Sequence, residues 1–423
     1  MSPSNPPTIP SARISGDRLP DPAQAWGVPL GIELVILLGL FLATATLHMS
    51  DVKGLERIGL ASIGLVLLFS GYLLAALVAN GSIPRPGLGV STALAALLGG
   101  WYFIRLLMDF SVSSLVFSFG VVALFLALFV LAASIHWTIP MLTTFGWIFS
   151  GLLGMLLLWF FAAGMRPSFT GYMANTNGLG ALSMCGLFFL ALGFKTAKGI
   201  LARWYFILLA ALTLVMIIVS STRSIWLALL VAGITYGCWK ALAARKWLYQ
   251  LYLGGVFLLI SLFVLIFPLV MAGPWYFRLQ AISLGVTEKN IQSGRHDLWV
   301  RLISELAKKP WIGFGPGTAP SDLLPTRLSA HSAYFQVVLD TGVIGLALLV
   351  ALLFCIWNLH WRGRHTPLVR LFGAAFIGIV IYQTFEGTLI TTNLSLGLIL
   401  WLVLGIGASL SLHSAPSPSP GRS

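Results

Sequence analysis

The feature that most constrains this chain is a succession of apolar runs that are longer than the core helices of soluble proteins. A helix needs about 20 consecutive apolar residues to cross the hydrocarbon core of a bilayer. Runs of this length recur along almost the whole sequence, in which 58% of the residues are hydrophobic and only 9% are charged. The bilayer is therefore the solvent for most of the chain, and the sequence predicts an all-α integral membrane protein.

A sliding window of about 19 residues divides the apolar part into twelve predicted transmembrane helices. They lie near residues 31–47, 57–79, 88–108, 112–135, 141–163, 178–194, 204–220, 224–242, 248–270, 332–358, 368–390 and 394–411. Nine helices thus fall in residues 31–270 and three in residues 332–411. The polar, proline-rich segments 1–30 and 412–423 cannot bury enough apolar surface to order themselves, so both are predicted to be disordered tails.

The distribution of Lys and Arg predicts the orientation. With an even number of helices both termini lie on one side, and placing them in the cytoplasm puts thirteen of the 25 basic residues there and five in short outer loops. This agrees with the enrichment of basic residues in cytoplasmic loops. The thirteen are Arg13, Arg18, Arg85, Lys195, Lys198, Arg203, Lys240, Arg245, Lys246, Arg362, Arg364, Arg370 and Arg422. Topology thus accounts for much of the formal charge of +13, and nucleic acid is not a predicted partner.

The remaining seven basic residues lie in residues 271–331, a long segment between the ninth and tenth helices that is predicted to form a loop domain on the outer face of the membrane. Its stretch SGRHDLWVRLISELAKKPWIGFGPG predicts a short amphipathic helix with Leu298, Trp299, Leu302, Ile303 and Leu306 on one face. Pro310 is expected to stop this helix, and the glycines at 313, 315 and 317 are expected to form tight turns.

Three arginines on the predicted outer side, Arg166, Arg223 and Arg295, have few carboxylates near them in the sequence. Arg223 and Arg295 each stand at the start of a predicted helix, where unpaired N–H groups and the helix dipole favour an anion. These arginines are candidates for binding an anionic ligand. The alternative is that they extend to lipid head groups at the membrane interface.

His331 opens the stretch HSAYFQVVLDTGVIG. At about 100° per residue, Gly342 and Gly345 are expected on the same helical face as His331, where small residues allow a neighbouring helix to approach. The dipole at a helix N-terminus disfavours the imidazolium, and a neutral imidazole is a candidate general base. The alternative is an interfacial histidine that only binds the loop.

Together these residues resemble the O-antigen ligase family. The family motif is His, then Asn, Ser or Gln, then nine residues, Gly, two residues and Gly, and His331, Ser332, Gly342 and Gly345 fit it. Leu346 stands where the family more often has Gly, Thr or Tyr. Arg223, the SGRHDLW stretch with Arg295, and the single large loop agree with the same family.

The resemblance implies a GT-C-like glycosyltransferase of a bacterial inner membrane with its active site on the periplasmic face. Its donor would be an O-antigen glycan on undecaprenyl diphosphate, and its acceptor a sugar hydroxyl of lipid A-core, with membrane lipids as further partners. His331 would then take the acceptor proton, while Arg223 and Arg295 would bind the diphosphate. The reaction would invert the anomeric centre. No DxD pair or ligand-spaced His or Cys cluster occurs, so neither a metal nor another cofactor is predicted.

Further candidate substrate contacts are Arg166, Tyr172, Asn175 and Asn177 in one outer loop, together with Tyr334 and Glu386. The asparagines are equally suited to capping a helix. For Glu386, orienting His331 or pairing with an arginine is favoured over a role as covalent nucleophile. The buried position of Asp340 requires a partner that the sequence does not identify.

Two other enzyme functions share this pattern, an O-antigen polymerase and a protein O-oligosaccharyltransferase, which differ from the ligase in their acceptor. A secondary transporter is an alternative of another class. Transporters are typically built from repeated halves with broken helices at matching positions. The sequence shows no such internal repeat, and the large loop makes it asymmetric.

Overall fold

A computed structural model of the chain describes residues 31–79, 87–166, 169–271, 275–287, 295–390 and 393–413. Within these ranges the chain is helical, apart from connecting loops and one isolated antiparallel bridge between Ser50 and Met173. The predicted tail 1–30 lies outside the described residues, as does most of the predicted tail 412–423. Leu412 and His413 still belong to the last helix.

The helices are numbered in chain order, and a 3-10 turn at Thr46–Met49 extends the first of them. They are α1 (Ile32–Ala45), α2 (Lys53–Ala79), α3 (Gly89–Met108), α4 (Val112–Phe117), α5 (Leu124–Ser134), α6 (Ile139–Ala162), α7 (Thr176–Thr196), α8 (Ile200–Val219), α9 (Arg223–Ala244), α10 (Lys246–Met271), α11 (Trp275–Thr287), α12 (Arg295–Leu306), α13 (Pro320–Leu323), α14 (Ala333–Arg362), α15 (Pro367–Tyr382) and α16 (Leu394–His413).

Ten of the described helices are long and apolar enough to cross a membrane, so the chain is a multi-pass membrane protein. The two remaining predicted spans are helical over shorter lengths. In the fourth, a π-helical stretch at Ser118–Ala123 separates α4 from α5, and the eleventh is α15, which ends at Tyr382. Hydropathy alone predicts each of these two segments as one continuous span, because the residues stay apolar where the helix changes pitch or ends.

Burial divides the helices into a centre and a periphery. Helix α16 is buried around its whole circumference and packs against α5, α14 and α15. Helices at the periphery instead expose large apolar side chains, such as Leu68, Leu158 and Leu201, which suits contact with lipid.

Helix α14 is broken at Gly342, whose φ of 70° and ψ of −169° are not helical. Leu339 and Asp340 on one side of the break accept backbone hydrogen bonds from Phe314 and Gly315, and beyond it the Val343 N–H donates to the Pro310 carbonyl. The loop after α12 thus takes up backbone groups that a continuous helix would pair internally. The expectation of one unbroken helical face from His331 to Gly345 is therefore wrong.

The two motif glycines have separate packing roles. A Cβ at Gly342 would overlap the backbone of Trp311 and Ile312, so this glycine admits the loop rather than a neighbouring helix. At Gly345 a Cβ would overlap the Thr341 hydroxyl and would lie 3.5 Å from the Trp101 ring of α3. Of the two motif glycines, only Gly345 therefore allows the expected close approach of a neighbouring helix, which is α3.

The segment 271–331 contains α11, α12 and α13 in its described parts. Leu298, Trp299, Leu302 and Leu306 of α12 are buried, whereas Ile303 is 39% exposed. This apolar face packs against Phe335 and Leu339 of α14. The glycines at 313, 315 and 317 all have positive φ angles, as expected for tight turns.

Candidate functional site

Four chain segments that are distant in sequence meet in a cleft of about 380 Å³. They are the turn after α1, the connection that leads into α7, the residues just before α14 and the loop between α15 and α16. The predicted topology places all four at the same end of the bundle, which we call the outer end. The lining side chains with polar or ionisable groups include His48, Asn175, Asn177, Ser329, His331, Ser332, Gln336, Glu386, Thr388 and Asn393.

His331 lies directly before α14 in a left-handed backbone conformation with φ of 49°. Such a conformation is uncommon for residues other than glycine, and histidine is among the types that adopt it more readily. Ser332 then caps α14, because its side chain accepts from the Phe335 N–H. On the next residue, the Ala333 N–H donates to the Gln383 carbonyl at 3.0 Å. The imidazole is thus held at the mouth of α14 rather than within its first turn.

The His331 ring faces a carboxylate. Its Nδ1 is 3.7 Å from Glu386 Oε2, and the two side chains are 23% and 16% exposed. The other carboxylate oxygen, Oε1, accepts a hydrogen bond from Asn177 Nδ2 at 3.0 Å. Three of the candidate site residues, from three distant segments of the chain, therefore form one row of polar groups inside the cleft. A carboxylate at Nδ1 leaves Nε2 as the nitrogen available to a substrate.

Two candidate residues of the loop before α7 have different roles, one at the cleft and one in packing. Asn175 caps α7, since its side chain accepts from the Gly178 N–H at 2.8 Å, and it also lines the cleft. Tyr172 is only 5% exposed and does not line the cleft. Its hydroxyl is 2.5 Å from that of Thr46, and burial raises the pKa of the phenol to about 12. Tyr172 therefore fastens this loop to the turn after α1.

Arg166, Arg223, Tyr172 and Tyr334 are not among the described residues that line this cleft. Arg223 is the first residue of α9, and its Nη1 donates to Ser283 Oγ of α11 at 2.5 Å. Arg166 is exposed. Arg295 is the first residue of α12, and its side chain lies outside the described residues. The hydroxyl of Tyr334 donates to the Val380 carbonyl at 2.8 Å, which indicates a packing role.

Asp340 is paired with three hydrogen-bond donors from different parts of the chain. This buried carboxylate accepts hydrogen bonds from Tyr102 Oη at 3.2 Å, Gln336 Nε2 at 2.9 Å and the Gly317 N–H at 3.0 Å. It therefore joins α3, α14 and the glycine-rich loop. All three donors are neutral groups, so hydrogen bonds rather than a salt bridge satisfy this carboxylate.

His48 was not a candidate from the sequence, yet it lines the cleft. Its Nδ1 is buried and has no hydrogen-bond partner within the described part of the chain. The sequence feature that could have identified it is a histidine at the outer end of the first apolar segment.

In the described ranges, no three His, Cys, Asp or Glu side chains are grouped so that they could hold a metal ion.

Comparison with known proteins gives one family. A family model described as O-antigen ligase matches residues 208–350, which include Arg223, Arg295 and the whole motif from His331 to Gly345. The resemblance drawn from the motif is thereby confirmed. No curated protein matches the chain.

Proposed function

Taking the chain as a member of the O-antigen ligase family, we propose that it transfers the O-antigen glycan from undecaprenyl diphosphate to a sugar hydroxyl of lipid A-core. The observation that carries this proposal is the cleft in which His331 faces Glu386, at the mouth of the helix that bears the family motif. The active site would then lie on the periplasmic face of the inner membrane, with both termini in the cytoplasm.

In this proposal His331 is the general base. Its Nε2 accepts the proton of the acceptor hydroxyl as the new bond forms between that oxygen and the anomeric carbon. Glu386 fixes the ring through Nδ1 and stabilises the imidazolium that results, and Asn177 holds the carboxylate in place. The spacing of 3.7 Å is long for a hydrogen bond, but catalytic hydrogen bonds commonly tighten when substrate binds.

The bond that breaks joins the anomeric carbon to the diphosphate, which leaves with both electrons and gains negative charge. Arg223 and Arg295 are proposed to bind this leaving group, because guanidinium groups match phosphate oxygens in two hydrogen bonds at once. Each stands at the first residue of a helix, α9 or α12, where the dipole also favours an anion. In this scheme the arginines provide the charge stabilisation that a divalent cation provides in other transferases.

A single displacement of this kind inverts the anomeric centre. Both substrates are lipids, so they approach from the bilayer and only their polar heads need to enter the cleft. This accounts for a transferase that consists mainly of membrane helices.

The test is a reaction of the purified protein with lipid-linked glycan and lipid A-core in the presence of EDTA, comparing wild type with His331→Ala. Wild type should join the two lipids, and the variant should lose activity by roughly 100-fold or more, the usual contribution of a positioned base. Unchanged donor binding and thermal stability would show that the variant is folded. Near-normal turnover by His331→Ala would contradict the proposed mechanism, and polymerisation of the donor glycan would favour a polymerase instead.

A further inference from the structure

A second polar cavity, of about 540 Å³, lies at the end of the bundle opposite to the cleft. It is formed by the C-terminal ends of α7 and α9 and by the turn between α14 and α15. The ionisable side chains that line it are Lys195, Lys240, Arg364, His365 and Arg370. No carboxylate is among the lining residues, all of which the structure describes.

The positive charge of this cavity has no counterpart nearby in the sequence. No Asp or Glu occurs in residues 110–287 or 341–385, the stretches that supply every lining residue. The topology of a membrane protein explains why basic residues lie on this side. It does not explain why five basic side chains, counting histidine, converge on one cavity, where like charges repel unless an anion lies between them.

Aromatic rings hold part of this cluster in place. The guanidinium of Arg370 lies 4.0 Å from the centre of the Tyr236 ring, and its Nε donates to the Tyr236 carbonyl at 2.8 Å. Lys195 Nζ is 5.8 Å from the same ring. Arg364 stacks on Trp361 at 4.2 Å, and its Nε is buried without a hydrogen-bond partner among the described residues. The two arginines are thus held in place, whereas Lys195, Lys240 and His365 are exposed at the mouth of the cavity.

The wall at Tyr236 separates this basic cavity from an apolar one. The apolar cavity has a volume of about 260 Å³ and lies between α7, α9, α15 and α16, among side chains such as Phe188, Ala232 and Leu371. Tyr236 lines both cavities. A positively charged site therefore lies directly beside an apolar site that is deeper between the helices, with Tyr236 between the two.

We propose that these two cavities together bind an anionic glycerophospholipid of the cytoplasmic leaflet. The basic cavity takes the phosphate of the head group, and the apolar cavity takes part of an acyl chain. A free phosphate or nucleotide would use only the first cavity, and a neutral lipid only the second, whereas an anionic phospholipid uses both. Basic pockets between helices on the cytoplasmic side are suited to such head groups. This site is separate from the proposed transfer reaction and does not depend on it.

The head-group part is tested by lipid titration of the delipidated full-length protein in nonionic detergent, measured by native mass spectrometry. Phosphatidylglycerol should bind more tightly than phosphatidylcholine. The double variant Lys195→Gln with Lys240→Gln should weaken phosphatidylglycerol binding by about fivefold per lysine. Its matched control is Lys198→Gln with Lys246→Gln, two exposed lysines at the same end that line neither cavity. The control pair should bind as wild type.

The acyl-chain part is tested at two glycines of α9. A Cβ at Gly233, which lines the apolar cavity, or at Gly237, which does not, meets no atom within 4 Å. Gly233→Leu should fill the cavity and weaken phosphatidylglycerol binding at least fivefold, while Gly237→Leu should leave it unchanged. Inorganic pyrophosphate, which has no chain, serves as the probe for the head-group cavity alone, and its weaker binding should not respond to Gly233→Leu.

Three results would overturn the proposal. The first is equal binding of phosphatidylcholine and phosphatidylglycerol, and the second is equal loss in the two double lysine variants. The third is tight pyrophosphate binding together with lipid binding that Gly233→Leu leaves intact, which would identify a site for soluble phosphate.

Discussion

The indole nitrogen of Trp299 donates a hydrogen bond to the carbonyl oxygen of Ala330 at 3.0 Å. Helix α12 therefore holds the residue directly before His331. The same ring packs against Phe335, one turn into α14, with ring centres 5.3 Å apart. Trp299 is 1% exposed, and Arg295 lies one helical turn before it at the start of α12. One buried side chain thus connects the helix that begins with a proposed diphosphate ligand to the backbone that positions the proposed base.

Trp299→Phe is expected to retain most of the ring packing and to lose the hydrogen bond, which contributes about 1 kcal/mol. Because the loss affects the position of His331 rather than substrate binding, kcat should fall several-fold while KM changes little. Steady-state kinetics with a fixed acceptor would measure the two constants. Trp311→Phe is the matched control, since Trp311 is 67% exposed in the same segment. An equal change in both constants, or the same effect in the control, would contradict a positioning role.

Glu386→Gln should retain the hydrogen bond to Asn177 and remove the charge that faces His331. The expected loss in kcat is on the order of 10- to 100-fold, the range for a hydrogen bond to a charged group. Glu305→Gln, which breaks the ion pair between this residue of α12 and Lys308 just after the helix, is the control and should be nearly silent. The anomeric configuration of the product, measured by NMR, separates the two roles of Glu386. A retained configuration with a trapped glycosyl-enzyme would make Glu386 the nucleophile.

Arg223→Ala should lower activity by roughly 10- to 150-fold if its guanidinium binds the leaving diphosphate. Lysine should restore little, because a point charge cannot form the paired hydrogen bonds of a guanidinium. The structural contact with Ser283 is tested separately by Ser283→Ala, which should cost far less. Transfer rates and donor affinity are the measurements. If Ser283→Ala were as damaging as Arg223→Ala, the arginine would instead serve to fasten α9 to α11.

Gly342→Ala should destabilise the protein, because its φ and ψ belong to a region that is essentially restricted to glycine. The backbone conformation alone accounts for roughly 1–3 kcal/mol, and the added Cβ would also overlap the backbone at Trp311 and Ile312. The melting temperature in detergent would measure the loss. Gly254→Ala is the control, since a Cβ there meets no atom within 4 Å. Equal melting temperatures for the two variants would contradict this reading of the break.

Asp340→Asn should be tolerated, since the amide oxygen can still accept from Gln336 and from the Gly317 N–H. Asp340→Leu should be damaging, because it removes the acceptor of the buried Tyr102 hydroxyl and of the partly buried Gly317 N–H, at a cost of about 1–3 kcal/mol. Thermal unfolding of both variants, compared with wild type, is the measurement. If Asn were as destabilising as Leu, the negative charge itself rather than its hydrogen bonds would be needed at this position.

Sequence could predict the helices because the bilayer imposes a simple rule of length and polarity. It could not predict the interruption at Ser118–Ala123, since the residues remain apolar while the hydrogen-bonding pattern changes. The early end of α15 has a local cause instead. There the Gln383 side chain bonds Thr388 and the Leu389 N–H, so the chain turns although the apolar window continues.

The candidate site divides in the same way. Four candidates could be chosen from their residue types and from their predicted place at the outer end of the bundle. The structure places all four in one cleft: His331, Glu386, Asn175 and Asn177. Their order within the cleft, and the presence of His48, depend on how segments that are far apart in the sequence pack together. Periodicity along a single helix cannot supply that information. It also failed within α14, where a pattern based on 100° per residue continued through Gly342 although the helix does not.

The break at Gly342 has a consequence for engineering. Pro310, Phe314 and Gly315 exchange backbone hydrogen bonds with Val343, Leu339 and Asp340, so the two stretches form a seam shared by the large loop and the membrane bundle. A chimera that transplanted the loop from a relative to change acceptor choice would sever this seam if its junction fell between residues 315 and 339. Residues 310–315 and 339–343 would have to be transplanted together for the recipient to fold.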